Sequence, residues 1–352
     1  MTLQPPTTVD EQFAMAEAFV ADANEALEQE RVDAAKQLFE QGLELLDALM
    51  PTHPAEELKR MAAQSSIQEA LGVIDVGCDA FGDAEHHYQL ALQLRQSMAE
   101  NNAQDMGYEV ALPRAVTHLN LAGLFGTLQR YEEAHEHGIR AVELTTEAVE
   151  AQPDDGDDPQ LDLLMLSCLG AVGSINATAG DLEAAKEAFE QGVLWARAVL
   201  TRGLDDSDDE EQESSVEQSP EFLGRYAQML VHTAMIHGAD DAHQEAFDFA
   251  SEATMLGQLL LEVTEQEEAL ELYLNAQLLV MQNARNLGRF ADAEDALFKT
   301  LALAPGQPEL VAMGEQFYEA LLERSDEELE AGGLPRDEVL ESLGELRESG
   351  GA

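Results

Sequence analysis

The stretch from Leu119 to Leu144 reads L-N-L-A-G-L-F-G-T-L-Q-R-Y-E-E-A-H-E-H-G-I-R-A-V-E-L. It spells a helix, a short polar turn at Gln129-Arg130 and a second helix. In the second helix Ala134, Gly138 and Ala141 fall at i, i+4 and i+7, which places them on one face. The same spacing returns at Ala35, Phe39 and Gly42, at Ala84, Tyr88 and Ala91, at Ala185, Phe189 and Gly192, and at Ala246, Ala250 and Ala253. Ala293, Leu297 and Thr300 repeat it more weakly. Twelve residues before each leading Ala stands another small side chain, at Ala23, Gly72, Ala122, Gly173 and Ala234, with Met281 as the exception. Small residues let two helices approach closely, and a large one fills the gap they leave.

Working outward, the apolar periodicity predicts six hairpins, at about 9–50, 55–101, 112–151, 160–201, 221–264 and 266–304, which together make one array over 9–304. The first helix should begin between Thr8 and Asp10, where small polar side chains can cap free amides. Its apolar stripe runs through Phe13, Ala16, Phe19, Val20, Ala23 and Leu27. Gly180 supplies the left-handed backbone that ends a helix. Residues 1–8 are rich in Pro and Thr and are predicted to be disordered. So is the acidic segment 203–220, which has almost no apolar side chains to bury. Helices at Pro308–Arg324 and Pro335–Arg347 are predicted as caps over 308–347. No period-two alternation competes with this reading, so the fold class is all-α.

The pattern resembles the tetratricopeptide repeat (TPR) family, whose hairpins carry a small residue in the first helix, an aromatic at the turn, A-x₃-F in the second helix and a trailing Pro. Tyr131 and Phe290 match the turn aromatic, and Pro305 matches the trailing Pro. The resemblance covers Phe13 to Ala304. It implies a right-handed α-solenoid of about six TPR-like helix-turn-helix units with C-terminal capping helices. One departure stands out. The leading Ala residues are spaced 84 − 35 = 49, 134 − 84 = 50, 185 − 134 = 51, 246 − 185 = 61 and 293 − 246 = 47, against about 34 in the standard repeat. Long units joined by P-T-H-P (Pro51 to Pro54) and P-D-D-G-D-D-P (Pro153 to Pro159) are similar to the kinesin-light-chain-like subtype.

The resemblance implies a ligand groove on the concave face, lined by first-helix residues that lie off the core stripe. These are Val116, Leu119, Asn120, Gly123, Ser167, Ser174, Thr178, Gln228, Val231, Met235, Asn275, Gln282 and Asn286. Such a lining, small, apolar and amide-bearing, suits an amphipathic helix or an extended peptide. Some family members grip a C-terminal carboxylate with Lys, Arg and Asn. Asn120 stands where an Asn could help, but the whole chain has four Lys, and no such clamp can be read. The family carries no catalytic residues to transfer.

Composition narrows the remaining possibilities. The 352 residues hold 18 Lys and Arg against 71 Asp and Glu, a formal charge of −53. That field repels phosphate backbones and anionic lipid, which argues against nucleic-acid or membrane partners. It fits a halophilic-like, salt-adapted surface, and it fits attraction to neutral or basic partners. The two thiols, Cys78 and Cys168, lie inside predicted helices and read as small buried residues. The nine His include no helical i, i+4 ligand pair, so no metal site is predicted. Gly-rich phosphate loops and nucleophile motifs are lacking, so no catalytic residue and no cofactor is predicted. The first residues lack a signal-peptide pattern, and no apolar run is read as membrane-spanning, so a cytoplasmic protein is expected. The function that follows is a non-catalytic protein-interaction scaffold binding a peptide or helix in its groove. The alternative is a regulatory sensor whose curvature responds to a small peptide or metabolite.

Overall fold

The computed structural model describes residues 8–101, 107–152, 158–202, 219–264, 267–303 and 307–350. Most of the predicted disordered N-terminus (1–7), most of the acidic segment (203–218), residues 153–157 and the trailing Pro305 lie outside the described residues. Among those described there are fifteen helices and no strand. The chain divides into two compact units at Gly180–Asp181, inside the turn of the fourth predicted hairpin.

The N-terminal unit holds α1 (Val9–Glu28), α2 (Val32–Ala48), α3 (Pro54–Gly77), α4 (Phe81–Asn101), α5 (Gly107–Thr127), α6 (Tyr131–Glu150) and α7 (Pro159–Ala179). Consecutive helices pack against each other, and the first helices α3, α5 and α7 lie side by side. Local chemistry sets the helix starts. Thr8 and Glu11 close a capping box on α1, Pro54 occupies the first turn of α3, and Asp158 accepts the Gln160 amide at the start of α7. The C-terminal unit holds α8 (Leu182–Thr201), α9 (Pro220–Ala239), α10 (His243–Val263), α11 (Glu267–Asn286), α12 (Phe290–Leu303), α13 (Pro308–Leu322), α14 (Asp326–Ala331) and α15 (Arg336–Gly350). In it α9 and α11 lie side by side, and α13 packs on α15 around Phe317, Tyr318, Val339 and Leu346.

Every residue of the repeated Ala–large–small spacing is buried, as are the small residues twelve positions earlier and Met281. The close approaches are real. A Cβ on Gly72 would stand 2.6 Å from the Tyr88 ring, and one on Gly138 would stand 2.9 Å from Val172 Cγ2. The six turns are also equivalent. The residue five places before each leading Ala has a left-handed backbone: Glu30 (φ 57°), Asp79 (57°), Gln129 (58°), Gly180 (88°), Asp241 (60°) and Gly288 (73°). In five of them the next amide reaches back to the helix, as Arg130 N does to Phe125 O at 2.8 Å. A left-handed conformation costs a side-chain-bearing residue roughly 1–2 kcal/mol. Gln129→Gly should therefore raise stability by about 0.5–1 kcal/mol, after the extra entropy of an unfolded glycine is deducted. A fall in the denaturation midpoint of that variant would refute the strain.

Several expectations need correcting. α5 begins at Gly107 rather than Leu112, and Pro113 lies inside it. α14 was not predicted; Ser325 and Glu328 form a capping box that starts it. Cys78 is exposed at the C-terminus of α3, because the helix stops one residue before it, whereas Cys168 is buried. One run does reach membrane-spanning length and hydropathy: α7, at 21 residues. Its apolar window is 61% buried among the protein's own helices, as a core helix would be.

Candidate functional site

In the N-terminal unit the predicted groove residues sit on the adjacent helices α5 and α7. Val116, Asn120 and Gly123 share one face of α5, with Leu119 beside them, and Ser167, Ser174 and Thr178 follow a face of α7. Gly123 is exposed, and a Cβ there would meet nothing within 4 Å. The hydroxyls are bonded to their own helices: Ser167 Oγ donates to Leu163 O at 2.9 Å and Thr178 Oγ1 to Ser174 O at 2.8 Å. Asn120 is engaged too. Its Nδ2 donates to Glu69 Oε1 at 3.1 Å, and the other Glu69 oxygen accepts from Arg95 Nη2 at 2.7 Å. An Asn tied into this network is not available to a ligand's carboxylate.

In the C-terminal unit Gln228, Met235, Asn275, Gln282 and Asn286 are exposed on α9 and α11. Val231 is the exception. It is 8% exposed, because α9 buries residues around most of its circumference.

Two concavities stand out. The first is an apolar cleft of about 400 Å³ between α1, α2 and α3, lined by Phe13, Val20, Phe39, Leu46, Ile67 and Ala70 among others. Glu17 lies on its rim and pairs with Lys59 at 3.0 Å, and the Lys59 ammonium sits 4.6 Å over the Phe13 ring. None of the thirteen predicted residues lines it. The sequence signal was there, since Phe13, Ala16 and Val20 belong to the predicted stripe of the first helix, but that stripe reads as core. The second is a polar cleft of about 660 Å³ where α10, α11 and α13 meet, and Gln282 and Asn286 do line it.

A ladder of contacts that the sequence did not announce holds successive hairpins in register. At each step the residue after the leading Ala meets the next hairpin. Lys36 Nζ donates to Asp75 Oδ1 (2.6 Å), Arg130 Nη1 to Glu85 Oε2 (2.7 Å) and Tyr318 Oη to Glu294 Oε1 (2.7 Å). His135 Nδ1 pairs with Asn176 Oδ1 (2.9 Å), Lys186 with Asp240 (3.8 Å), and Arg289 lies 4.1 Å over the Phe247 ring.

The histidines are absorbed into this packing. Among the described residues no group of three or more His, Cys, Asp or Glu side chains is gathered as metal ligands would be. His118 Nδ1 on α5 and His137 Nδ1 on α6 stand 2.8 Å apart, so one nitrogen must hold the proton and the other accept it. Burial, then the neighbouring His137 and Arg114, push the His118 pKa down from 6.5 to about 4. The sign follows. An unfolded ring takes up a proton near pH 6.5, and the folded one resists until about pH 4. The neutral ring therefore contributes stability that is complete above pH 6.5 and lost as pH falls toward 4. Allowing for the partly exposed ring, the native protein should lose roughly 2 kcal/mol across that window that His118→Gln does not lose. Parallel stability curves for the two proteins would refute it.

With this geometry in view, comparisons with known proteins bear on the fold. A family model described as a family of unknown function (DUF6483) matches residues 192–351. No curated protein sequence matches the chain. The structure is similar to the apo form of RapI, with a TM-score of 0.53 and 10% identity over 95% of this chain and 98% of that one. It is similar to the nuclear import adaptor Nro1 of S. pombe, with a TM-score of 0.55 and 13% identity over 93% of this chain and 99% of that one. These neighbours are TPR-like helical repeat proteins, and the chain shares their all-α helical-repeat fold.

Proposed function

We propose that this protein is a non-catalytic interaction scaffold whose first-helix faces take a peptide or helix of neutral or basic character. The observation that carries the reading is the open apolar cleft between α1 and α3. A volume near 400 Å³ falls within the range of about 300–1,000 Å³ typical of binding sites. Its apolar floor suits the hydrophobic face of an amphipathic helix, and the surrounding charge of −53 favours a cationic one. Within the same unit, the predicted residues of α5 and α7 would extend the contact surface, and those of α9 and α11 would form a separate first-helix face in the C-terminal unit. The long spacing of the units supports a kinesin-light-chain-like subtype, and the acidity supports a salt-adapted surface on a cytoplasmic protein without nucleic-acid or membrane partners. A second reading, a regulatory sensor for a small peptide or metabolite, is favoured by the polar cleft of the C-terminal unit.

The test is anisotropy titration with a labelled Lys/Leu peptide patterned as an amphipathic helix, alongside a scrambled peptide of equal charge. The patterned peptide should bind more tightly, and Val20→Lys with Ser66→Lys should weaken it by about tenfold or more, some 1.4 kcal/mol. Equal binding of the two peptides would reduce the interaction to bulk charge attraction and remove the site.

A further inference from the structure

Acids outnumber bases by 71 to 18 in this chain, yet four arginines, Arg31, Arg114, Arg225 and Arg285, have no carboxylate partner among the described residues. Most of the described cations do have one: Lys36, Lys59, Arg60, Arg95, Arg130 and Arg197 are all paired at 3.0 Å or less. Arg285 is not. It is exposed on the last turn of α11 and makes no ion pair, side-chain hydrogen bond or ring contact among the described residues. It lines the polar cleft of about 660 Å³ together with Arg324, His243, Gln282 and Asn286.

The rest of the wall fits a receptor for negative charge. Arg324 meets Glu328 only at 3.5 Å, and that carboxylate already accepts from Ser325 N and Oγ, each at 2.9 Å. Most of the Arg324 fork is therefore free. His243 is held in place. Asn283 Nδ2 donates to Leu279 O at 2.9 Å, so its Oδ1 is the acceptor end. His243 Nδ1, 3.1 Å away, then donates to it, and the ring's Nε2 lies 3.8 Å from Asp241 Oδ1, so the ring orients this wall and the donors for an anion are the two arginines. The one acid that lines the cleft, Asp241, has a side chain 96% exposed to water. Phe290 and Leu321, at 4% and 1% exposure, close the cleft from the core side and give it a fixed floor.

We propose that this cleft binds a small oxyanion, the phosphate or carboxylate group of a metabolite. The guanidinium forks of Arg285 and Arg324 hold the charged oxygens, and the amides of Gln282 and Asn286 contact the remainder of the molecule. Guanidinium offers planar paired donors that match either group, so the two sources share one chemistry. This inference gives the sensor reading its ligand class and does not depend on the peptide cleft, which lies in the other unit.

The test uses the full-length protein with inorganic phosphate, pyrophosphate, succinate and citrate, each followed by calorimetry and by melting midpoint. Each anion is compared with NaCl at the same ionic strength, because salt alone screens the self-repulsion of so acidic a chain. At least one anion should bind saturably and raise the midpoint above its NaCl control. Arg285→Gln should keep the native midpoint in NaCl, having lost no internal partner, yet weaken that anion by about tenfold. Arg324→Gln should weaken it similarly, and Gln282→Ala should alter the ranking of the anions. Preference for pyrophosphate or for citrate identifies the group recognised. The proposal is overturned if no anion exceeds its NaCl control, or if Arg285→Gln binds as the native chain does. The second outcome would leave Arg285 as a charge that merely complements the C-terminus of α11. Failure of the cationic-peptide titration has no bearing on either result.

Discussion

Arg95→Met lowers the stability of the N-terminal unit by about 3–5 kcal/mol, the cost of breaking a buried ion pair from one side. Arg95 is 6% exposed on α4 and reaches two other helices. Its Nη2 donates to Glu69 Oε2 on α3 at 2.7 Å. Its Nη1 donates to the Pro113 carbonyl on α5 at 2.7 Å and to Thr117 Oγ1. Met replaces most of the volume but none of the charge. Glu69 then keeps only the Asn120 amide in a largely dry site, where a lone carboxylate is costly. Chemical denaturation should show a lower midpoint with an unchanged slope. Combining Arg95→Met with Glu69→Gln should recover part of the loss, since no unpaired charge remains. A single variant within about 1 kcal/mol of the native protein would mean that the network is absent in solution.

Lys36→Met is expected to cost about 3 kcal/mol, for a related but asymmetric reason. The Lys36 side chain is 33% exposed, whereas the Asp75 side chain is 1% exposed. Removing the lysine strands a carboxylate that cannot reach water, and His87 Nε2 at 3.5 Å is a poor substitute. Burial keeps that ring neutral, and its Nδ1 is already engaged by Gln68. Asp75→Asn should cost less, because a freed lysine can extend its head into solvent. If both substitutions cost the same, the contact acts through packing rather than charge.

The hairpins were legible because their core follows a fixed local spacing. Ala134, Gly138 and Ala141 must be small wherever a neighbouring helix crosses them, and a fixed spacing can be read without knowing the neighbour. The turn at Gln129-Arg130 was legible from its polarity, but the left-handed backbone of the turns was legible only at Gly180. Glu30, Asp79, Gln129 and Asp241 adopt the same left-handed backbone, but nothing in those residue types signals it. The ladder was invisible for another reason. Its partners lie in the next hairpin, and the residue after the leading Ala is by turns Lys, Glu, His, Lys, Phe and Glu. The start of the third hairpin, read at 112, was placed too late: α5 begins at Gly107 and has completed its first turn before it reaches Pro113. The site was legible only in part. Exposure of first-helix residues can be read from periodicity, and apart from Val231 the predicted ones are exposed or half-buried. Which of them share a cavity depends on how far apart neighbouring helices stand, and no single helix encodes that distance. Phe13 and Val20, read as core, border open space for this reason.

The changing chemistry of the ladder also bears on what can be cut from this chain. In arrays built from identical repeats, any unit can be excised and the ends rejoined. Here each hairpin is addressed to one successor. Splicing out α3 and α4 while keeping the hairpin spacing would turn Lys36 toward Arg130, setting two cations face to face where each now meets a carboxylate. Shortened versions of this protein should therefore be truncated from an end, because the order of its hairpins is written into their edges.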